Sequence, residues 1–153
     1  MSRRGDQVAI TNRRARYDYE LLDHWEAGIM LAGAEVKSIR QGHANLQDAY
    51  ARVEDGEVWL FGMHVLAYEF STGELDPVRR RKLLLHAREI DELGRRTQER
   101  GLTLVPTRVY FKDGRAKVEI ALGRGKRAYD KRQAIAARDA RRETERALKG
   151  ERD

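Results

Sequence analysis

Apolar residues along this chain recur mainly in short runs with a period of two. Val118, Ile120 and Leu122 alternate with Lys117, Glu119 and Ala121, the signature of a strand with one buried face. Two hairpins stand out. Tyr50-Ala51-Arg52-Val53 and Val58-Trp59-Leu60-Phe61 flank Glu54-Asp55-Gly56-Glu57, and Val109-Tyr110-Phe111 and Ala116 through Leu122 flank Asp113-Gly114. Asp-Gly between such runs marks a tight turn, because glycine accepts positive φ at no steric cost. Residues 17–26 fit a first strand. The segment Gly28 to Ile39 is rich in apolar and small residues and predicts a long strand that bends at a bulge at Gly33. Asn45 is placed to cap a short helix through Ala49. A longer helix is expected from about His86 to Arg100, with Ile90 and Leu93 as its apolar stripe and Gly101 ending it, although Gly94 inside it counts against helix. The stretch from Ser71 to Pro77 reads as a loop excursion. Strands in two batches around one helix predict a mainly β protein: an OB-type antiparallel barrel of about six strands with peripheral helices.

The two ends break this pattern. Residues 1–11 lack periodicity and are expected to form a flexible arm, followed by the barrel over 12–124 and a basic tail over 125–153. In the tail, Ala134, Ala136, Ala137, Ala140 and Ala147 favour helix, yet Ile135 and Leu148 are the only large aliphatic residues after Tyr129. A helix polar nearly all round cannot pack on a core, so the tail is expected to be disordered alone and helical on a partner that neutralises its charge. Net charge is +6 over 153 residues, unevenly spread: residues 21–78 carry −7, whereas 79–123 carry +6 and 124–153 carry +5. This polarity suits a polyanion on one side only; solvated surface charge is the plainer alternative. With no cysteine, disulfides and thiolate zinc sites are excluded. No apolar run is long enough for a membrane span or a secretory signal, so a cytoplasmic location is expected.

No catalytic constellation emerges. His24, His43, His64 and His86 are scattered without metal-ligand spacing, and neither a metal nor a cofactor is expected. Gly123-Arg124-Gly125-Lys126 lacks the earlier glycine and the following Ser or Thr of a phosphate loop. The run Arg79-Arg80-Arg81-Lys82 offers phosphate contacts, or else guards the apolar Leu83-Leu84-Leu85 against aggregation. From Asn12 to Tyr19, arginines alternate with Tyr17 and Tyr19, which suits phosphate pairing and base stacking, or equally a strand start with Tyr19 in the core. Glu26, taken alone, is an exposed carboxylate.

Together these segments resemble the small protein B family, the SsrA-binding proteins that partner transfer-messenger RNA in bacteria. The matching stretches run in order: Asn12-Arg13-Arg14-Ala15-Arg16, Glu26-Ala27-Gly28-Ile29, Glu35 through Arg40, Arg81 through His86, Gly101 through Pro106, Gly125-Lys126-Arg127 and Tyr129-Asp130-Lys131-Arg132. The resemblance implies an OB-type barrel that binds the tRNA-like domain of transfer-messenger RNA, with Asn12, Tyr19 and Glu26 on family RNA-site positions. Arg13, Arg14, Lys37, Arg40, Arg79, Arg80, Arg81 and Lys82 are additional candidate contacts. It also implies a tail, rooted at Gly125, Lys126, Arg127, Tyr129, Asp130, Lys131 and Arg132, that turns helical in the empty messenger channel of a stalled ribosome. The small Ala140 and Ala147 depart from bulkier residues in some relatives. The implied partners are the small ribosomal subunit, with alanyl-tRNA synthetase and elongation factor Tu on the same RNA; a monomer is expected. The alternatives are a structural rRNA-binding OB protein and, behind it, a small ribonuclease.

Overall fold

The computed structural model describes residues 6–67, 76–126 and 138. Over residues 6–67 and 76–126 the elements follow in the order β1 (Asp6–Thr11), α1 (Ala15–Asp18), β2 (Tyr19–Ile29), α2 (Gly33–Arg40), β3 (Ala44–Asn45), β4 (Tyr50–Glu54), β5 (Glu57–Phe61), β6 (His64–Val65), β7 (Arg81–Leu84), α3 (Ala87–Arg96), β8 (Leu102–Lys112) and β9 (Arg115–Gly125). Six strands form a closed antiparallel ring, β8-β4-β5-β7-β2-β9, because β9 pairs back onto β8. Closure pairs every strand of the ring on both sides over part of its length; β8 meets β4 only at Leu104↔Ala51, which leaves the edge of its 108–112 stretch open. Both expected hairpins are present, and their Asp-Gly turns hold positive φ at both residues: Asp55 and Gly56, Asp113 and Gly114. The core fills the ring with Ala27, Val58, Leu60, Leu83, Leu104, Val109, Val118, Ile120 and Leu122, all at most 2% exposed.

The two longer helices cover the ends of the ring. Ile39 on α2 is fully buried, and the Arg40 guanidinium lies 4.0 Å from the centroid of the Phe111 ring near the end of β8. On α3, Leu93 is fully buried, Gly94 lies against Val53 of β4, and Arg96 reaches Asp23 of β2 at 2.6 Å. Strands β4 and β2 stand opposite each other in the ring, so a helix that touches both bridges its opening.

Four expectations are corrected. The stretch 28–39 is not one bent strand: β2 stops at Ile29, and Gly33–Arg40 is helix, its first turn fixed by the Glu35 carboxylate accepting the Ala32 N–H at 2.9 Å. Asn45 caps no helix; its Oδ1 accepts the Gln47 N–H at 2.6 Å in a local turn, while Ala44–Asn45 pairs with β6. Residues 6–11 of the predicted arm form β1, paired with β8 from Asp6↔Lys112 to Thr11↔Arg108. Its only buried apolar side chain is Ile10, so main-chain pairing, invisible as periodicity, holds it. The barrel therefore starts near residue 6, and at its other end β9 runs through Gly125. The expected helix over 86–100 is shorter, Ala87–Arg96. The loop over 71–75 and the tail from 127, apart from residue 138, lie outside the described residues.

Candidate nucleic-acid interface

On a strand, Tyr19 and Glu26 stand seven residues apart and should face opposite sides. A bulge between Leu21 and His24 reverses this. Tyr19, Leu21, His24 and Glu26 pair with Gly125, Gly123, Ala121 and Glu119 of β9, alternate residues that share one face. The Tyr19 ring lies on Gly123, where an added Cβ would come within 3.1 Å of it. A single extra residue in β2 thus aligns the aromatic and the carboxylate on the outside of the barrel.

Glu26 is held from β8. The Tyr110 hydroxyl donates to Glu26 Oε2, and Lys112 Nζ stands 3.7 Å from the same oxygen. Among the described residues no protein donor reaches Oε1, so one oxygen is anchored and the other faces solvent. Directly across the ladder sits a second carboxylate, Glu119. Its Oε1 accepts the Thr107 hydroxyl at 2.7 Å, and Arg108 contacts Oε2 at 3.2 Å. Two like charges face each other here, and Arg108, Lys112 and Tyr110 offset their repulsion. The Tyr110 hydrogen bond holds Glu26 below the usual carboxylate range; burial opposes this, and Lys112 and Lys117 add to it. Burial, reinforced by donation to Glu26, pushes the Tyr110 phenol up. The result is a shallow polar basin of about 320 Å³ lined by His24, Trp25, Glu26, Arg108, Tyr110, Lys112 and Glu119. An anchored, ionised carboxylate in basic surroundings accepts hydrogen bonds from base amino groups while rejecting bare phosphate.

The other candidates divide. Arg13 and Arg14 are exposed beside α1, where Tyr17, 77% exposed, is more available than the half-buried Tyr19. Lys37 and Arg40 are exposed on α2, with Arg40 also covering Phe111. Arg80 and Lys82 reach solvent at β7, the strand next to β2 in the ring, where they pair with Glu54 and Glu57 of β4 and β5.

Two candidates do not present their side chains to a ligand. Asn12 is 8% exposed; its Nδ2 donates to the carbonyls of Leu46 and Pro106 at 3.2 and 2.9 Å, and its Oδ1 accepts the Arg14 N–H. It ties the end of β1 to two distant segments. Arg81 is 0% exposed. Its guanidinium pairs with Glu35 Oε2 at 2.9 and 2.7 Å and donates to the carbonyls of Met63, Arg79 and Pro77. Arg79, one-third exposed, binds the other side of the same carboxylate. Of the tail-root candidates, Gly125 is the buried last residue of β9 and Lys126 is exposed, whereas Arg127, Tyr129, Asp130, Lys131 and Arg132 lie outside the described residues. Tyr110 was missed by sequence reasoning: it precedes the second Asp-Gly turn and carries no motif, and only the β8–β9–β2 pairing brings it to Glu26.

The described residues contain no cluster of three or more metal-ligating side chains, and none of their helices is long and apolar enough to cross a membrane. The SmpB protein family model matches residues 9–150. The SsrA-binding protein of Acidothermus cellulolyticus is 57% identical over 94% of this chain and 91% of its own length. That of Desulforudis audaxviator is 52% identical over 98% and 99%. A solved structure described as "tmRNA-SmpB: a journey to the center of the bacterial ribosome" contains a chain that is 47% identical, with a TM-score of 0.66, covering 82% of this chain and 92% of that one. These matches, over a barrel whose β2–β9 face carries the anchored carboxylate, place the chain in the SmpB family of SsrA-binding proteins.

Proposed function

We propose that this chain is a non-catalytic RNA-binding adaptor of trans-translation, which holds the tRNA-like domain of transfer-messenger RNA and accompanies it to stalled ribosomes. What carries the reading is the near full-length identity, above 50%, to proteins named for binding SsrA. The geometry supports it. The Glu26 face supplies base-directed acceptors, while Arg13, Arg14, Tyr17, Tyr19, Lys37 and Arg40 supply phosphate contacts and stacking near β2 and α2. Arg81 and Asn12 hold the scaffold and are left out of this surface. Arg80 and Lys82, which pair with Glu54 and Glu57, are left out as well.

The tail beyond Gly125, cationic and without a core-packing face, enters the vacant messenger channel of the small subunit and folds there. In this reading the protein works as a cytoplasmic monomer, sharing its RNA with alanyl-tRNA synthetase and elongation factor Tu. The test is two-part. A tRNA-like RNA should bind more tightly than an unstructured RNA of equal length at fixed salt. Removing residues 131–153 should leave that preference while abolishing tagging on a messenger without a stop codon. Equal loss of both would refute the division of labour.

A further inference from the structure

Among the described residues β4 and β8 pair at one position, Ala51↔Leu104, so the ring is joined there by a seam rather than a full ladder. Helix α3 lies beside the seam, with Gly94 toward Val53 of β4. Between them runs a cleft of about 620 Å³. Its apolar lining is Val53, Ile90, Leu102 and Leu104. Leu104 is fully buried, whereas the other three are only half-buried and keep apolar surface turned to the cleft.

One residue of the tail is already at this cleft. Arg138 is half-buried, has helical backbone and contributes to the lining. Its guanidinium lies 4.5 Å from the centroid of the Tyr50 ring, which stacks on Phe61 at 5.4 Å. The tail also leaves the barrel at the rim of the cleft, because Arg124 of β9 pairs with Leu102. Arg138 stands 13 positions past Gly125, about 20 Å of helix. Helical spacing groups Ala134 and Ile135, four and three residues earlier, with Arg138 on one face. A purely electrostatic tail gives an isoleucine at this position no role, whereas an apolar cleft beneath Arg138 gives it one.

We propose that the cleft between β4, α3 and β8 is a docking site for this chain's own tail, which seats Arg138 on Tyr50 and Ile135 against Ile90 and Leu102 while the protein is off the ribosome. The occupant is the tail of the same molecule, because that tail starts at the cleft's rim and its short tether gives it a high effective concentration there. One buried isoleucine and one cation–π contact, set against the ordering of a short helix, favour the docked tail by about tenfold. So small a bias yields to a channel lined with phosphates, which meets many of the tail's cations at once. That the tail leaves the cleft for the messenger channel rests on the function argued above; the docking itself does not. Docked, the tail's cations are kept from nonspecific RNA until a vacant channel competes for them.

Paramagnetic broadening in NMR spectra tests it. The chain has no cysteine, so Ala140→Cys supplies a single thiol for a nitroxide tag. Two residues past Arg138, position 140 lies on the far side of a helix and keeps the tag out of the cleft. In the isotope-labelled full chain the tag should remove most of the amide intensity of Gly94, Thr97 and Leu102, and spare Gly114 at the other end of the β8–β9 hairpin. Ile135→Asp, which changes no barrel residue, should restore the cleft signals, and so should Tyr50→Leu. Cleft signals left sharp by the tag, or broadening that survives Ile135→Asp, would overturn the proposal. So would broadening in a mixture of tagged protein with untagged isotope-labelled protein, which would put the tail on a second copy. No RNA is present in these samples, so failure of the functional reading looks different: wild-type protein would not prefer the tRNA-like RNA at all.

Discussion

Replacing Glu35 by glutamine removes the carboxylate that pairs with Arg81. The wild-type carboxylate accepts from Arg81 Nε and Nη2, from Arg79 and from the Ala32 N–H. Glutamine keeps one acceptor oxygen and turns an amide N–H₂ toward a guanidinium, donor against donor. Arg79, one-third exposed, can recover water, but Arg81 at 0% exposure cannot, so a buried cation is left without its counterion. Removing one partner of a buried pair costs about 3–5 kcal/mol. For a chain of this size each kcal/mol moves the melting temperature by about 2–4 °C, which gives a fall of roughly 6–20 °C. Circular-dichroism melts at neutral pH measure it. The double replacement Glu35→Leu with Arg81→Met removes both charges and should recover most of the loss.

Acid provides an independent check. Burial alone would raise the Glu35 pKa, but hydrogen bonds from Arg79, Ala32 and Arg81 outweigh it and leave it lowered. A carboxyl depressed in the folded state contributes stability that is present above its unfolded value near 4.5 and lost as pH falls through the folded one. The wild-type protein should therefore lose stability more steeply on acidification than Glu35→Gln. A neutral-pH fall under about 3 °C, or identical acid profiles, would show that Arg81 swings out to water and would return it to the list of candidate RNA contacts.

Asn12→Ala leaves the Leu46 and Pro106 carbonyls without their shared donor and should cost about 1–3 kcal/mol in urea unfolding, with the loss expressed in the fold rather than in RNA contacts. Tyr110→Phe keeps the ring but removes the strongest influence lowering the Glu26 pKa; an NMR titration should place Glu26 at higher pH than in wild type. Stability near neutral pH should fall by about 1 kcal/mol, screened because the carboxylate is partly exposed, and should vary less with acidity below about pH 4.5. Arg13→Gln with Arg14→Gln should flatten the log–log salt dependence of tRNA-like RNA binding by roughly 0.7–0.9 per lost phosphate contact; Arg81→Met should not change that slope, since its side chain already lies inside.

The hairpins were legible because an Asp-Gly turn between alternating runs is a local signal, and so was the barrel class, since strand count and turn spacing are properties of the pattern. The Glu26 site was legible only in part. A carboxylate at position 26 means nothing without its neighbours, and Tyr110, its hydrogen-bond donor, is 84 residues away. The bulge that turns Tyr19 and Glu26 to one side leaves no trace in composition; strict alternation predicts the opposite. β1 was missed for a related reason: with Ile10 as its single buried apolar anchor, it exists because β8 offers an unpaired edge.

The misplacement of Arg81 shows how two such errors are coupled. A run of four cations invites reading as one patch, yet in a strand consecutive side chains alternate sides. Leu83 points into the core, so period two already assigns Arg81 to the core and Lys82 to the outside, as the structure has them. An arginine inside a barrel requires a carboxylate within reach, because no other side chain both neutralises it and fills its donor fork. That requirement is itself a constraint on the rest of the chain, one that points at the acidic front half. Had residues 28–39 been read as a strand followed by a helix, Glu35 would have stood out on the helix face shared with Ser38 and Ile39, facing inward. Missing the helix hid the counterion, and without the counterion the arginine could only be placed in water. The lesson carries to the neighbouring cations: Arg80 and Lys82, which alternation places outside, are the members of the run whose side chains reach solvent, where they pair with Glu54 and Glu57.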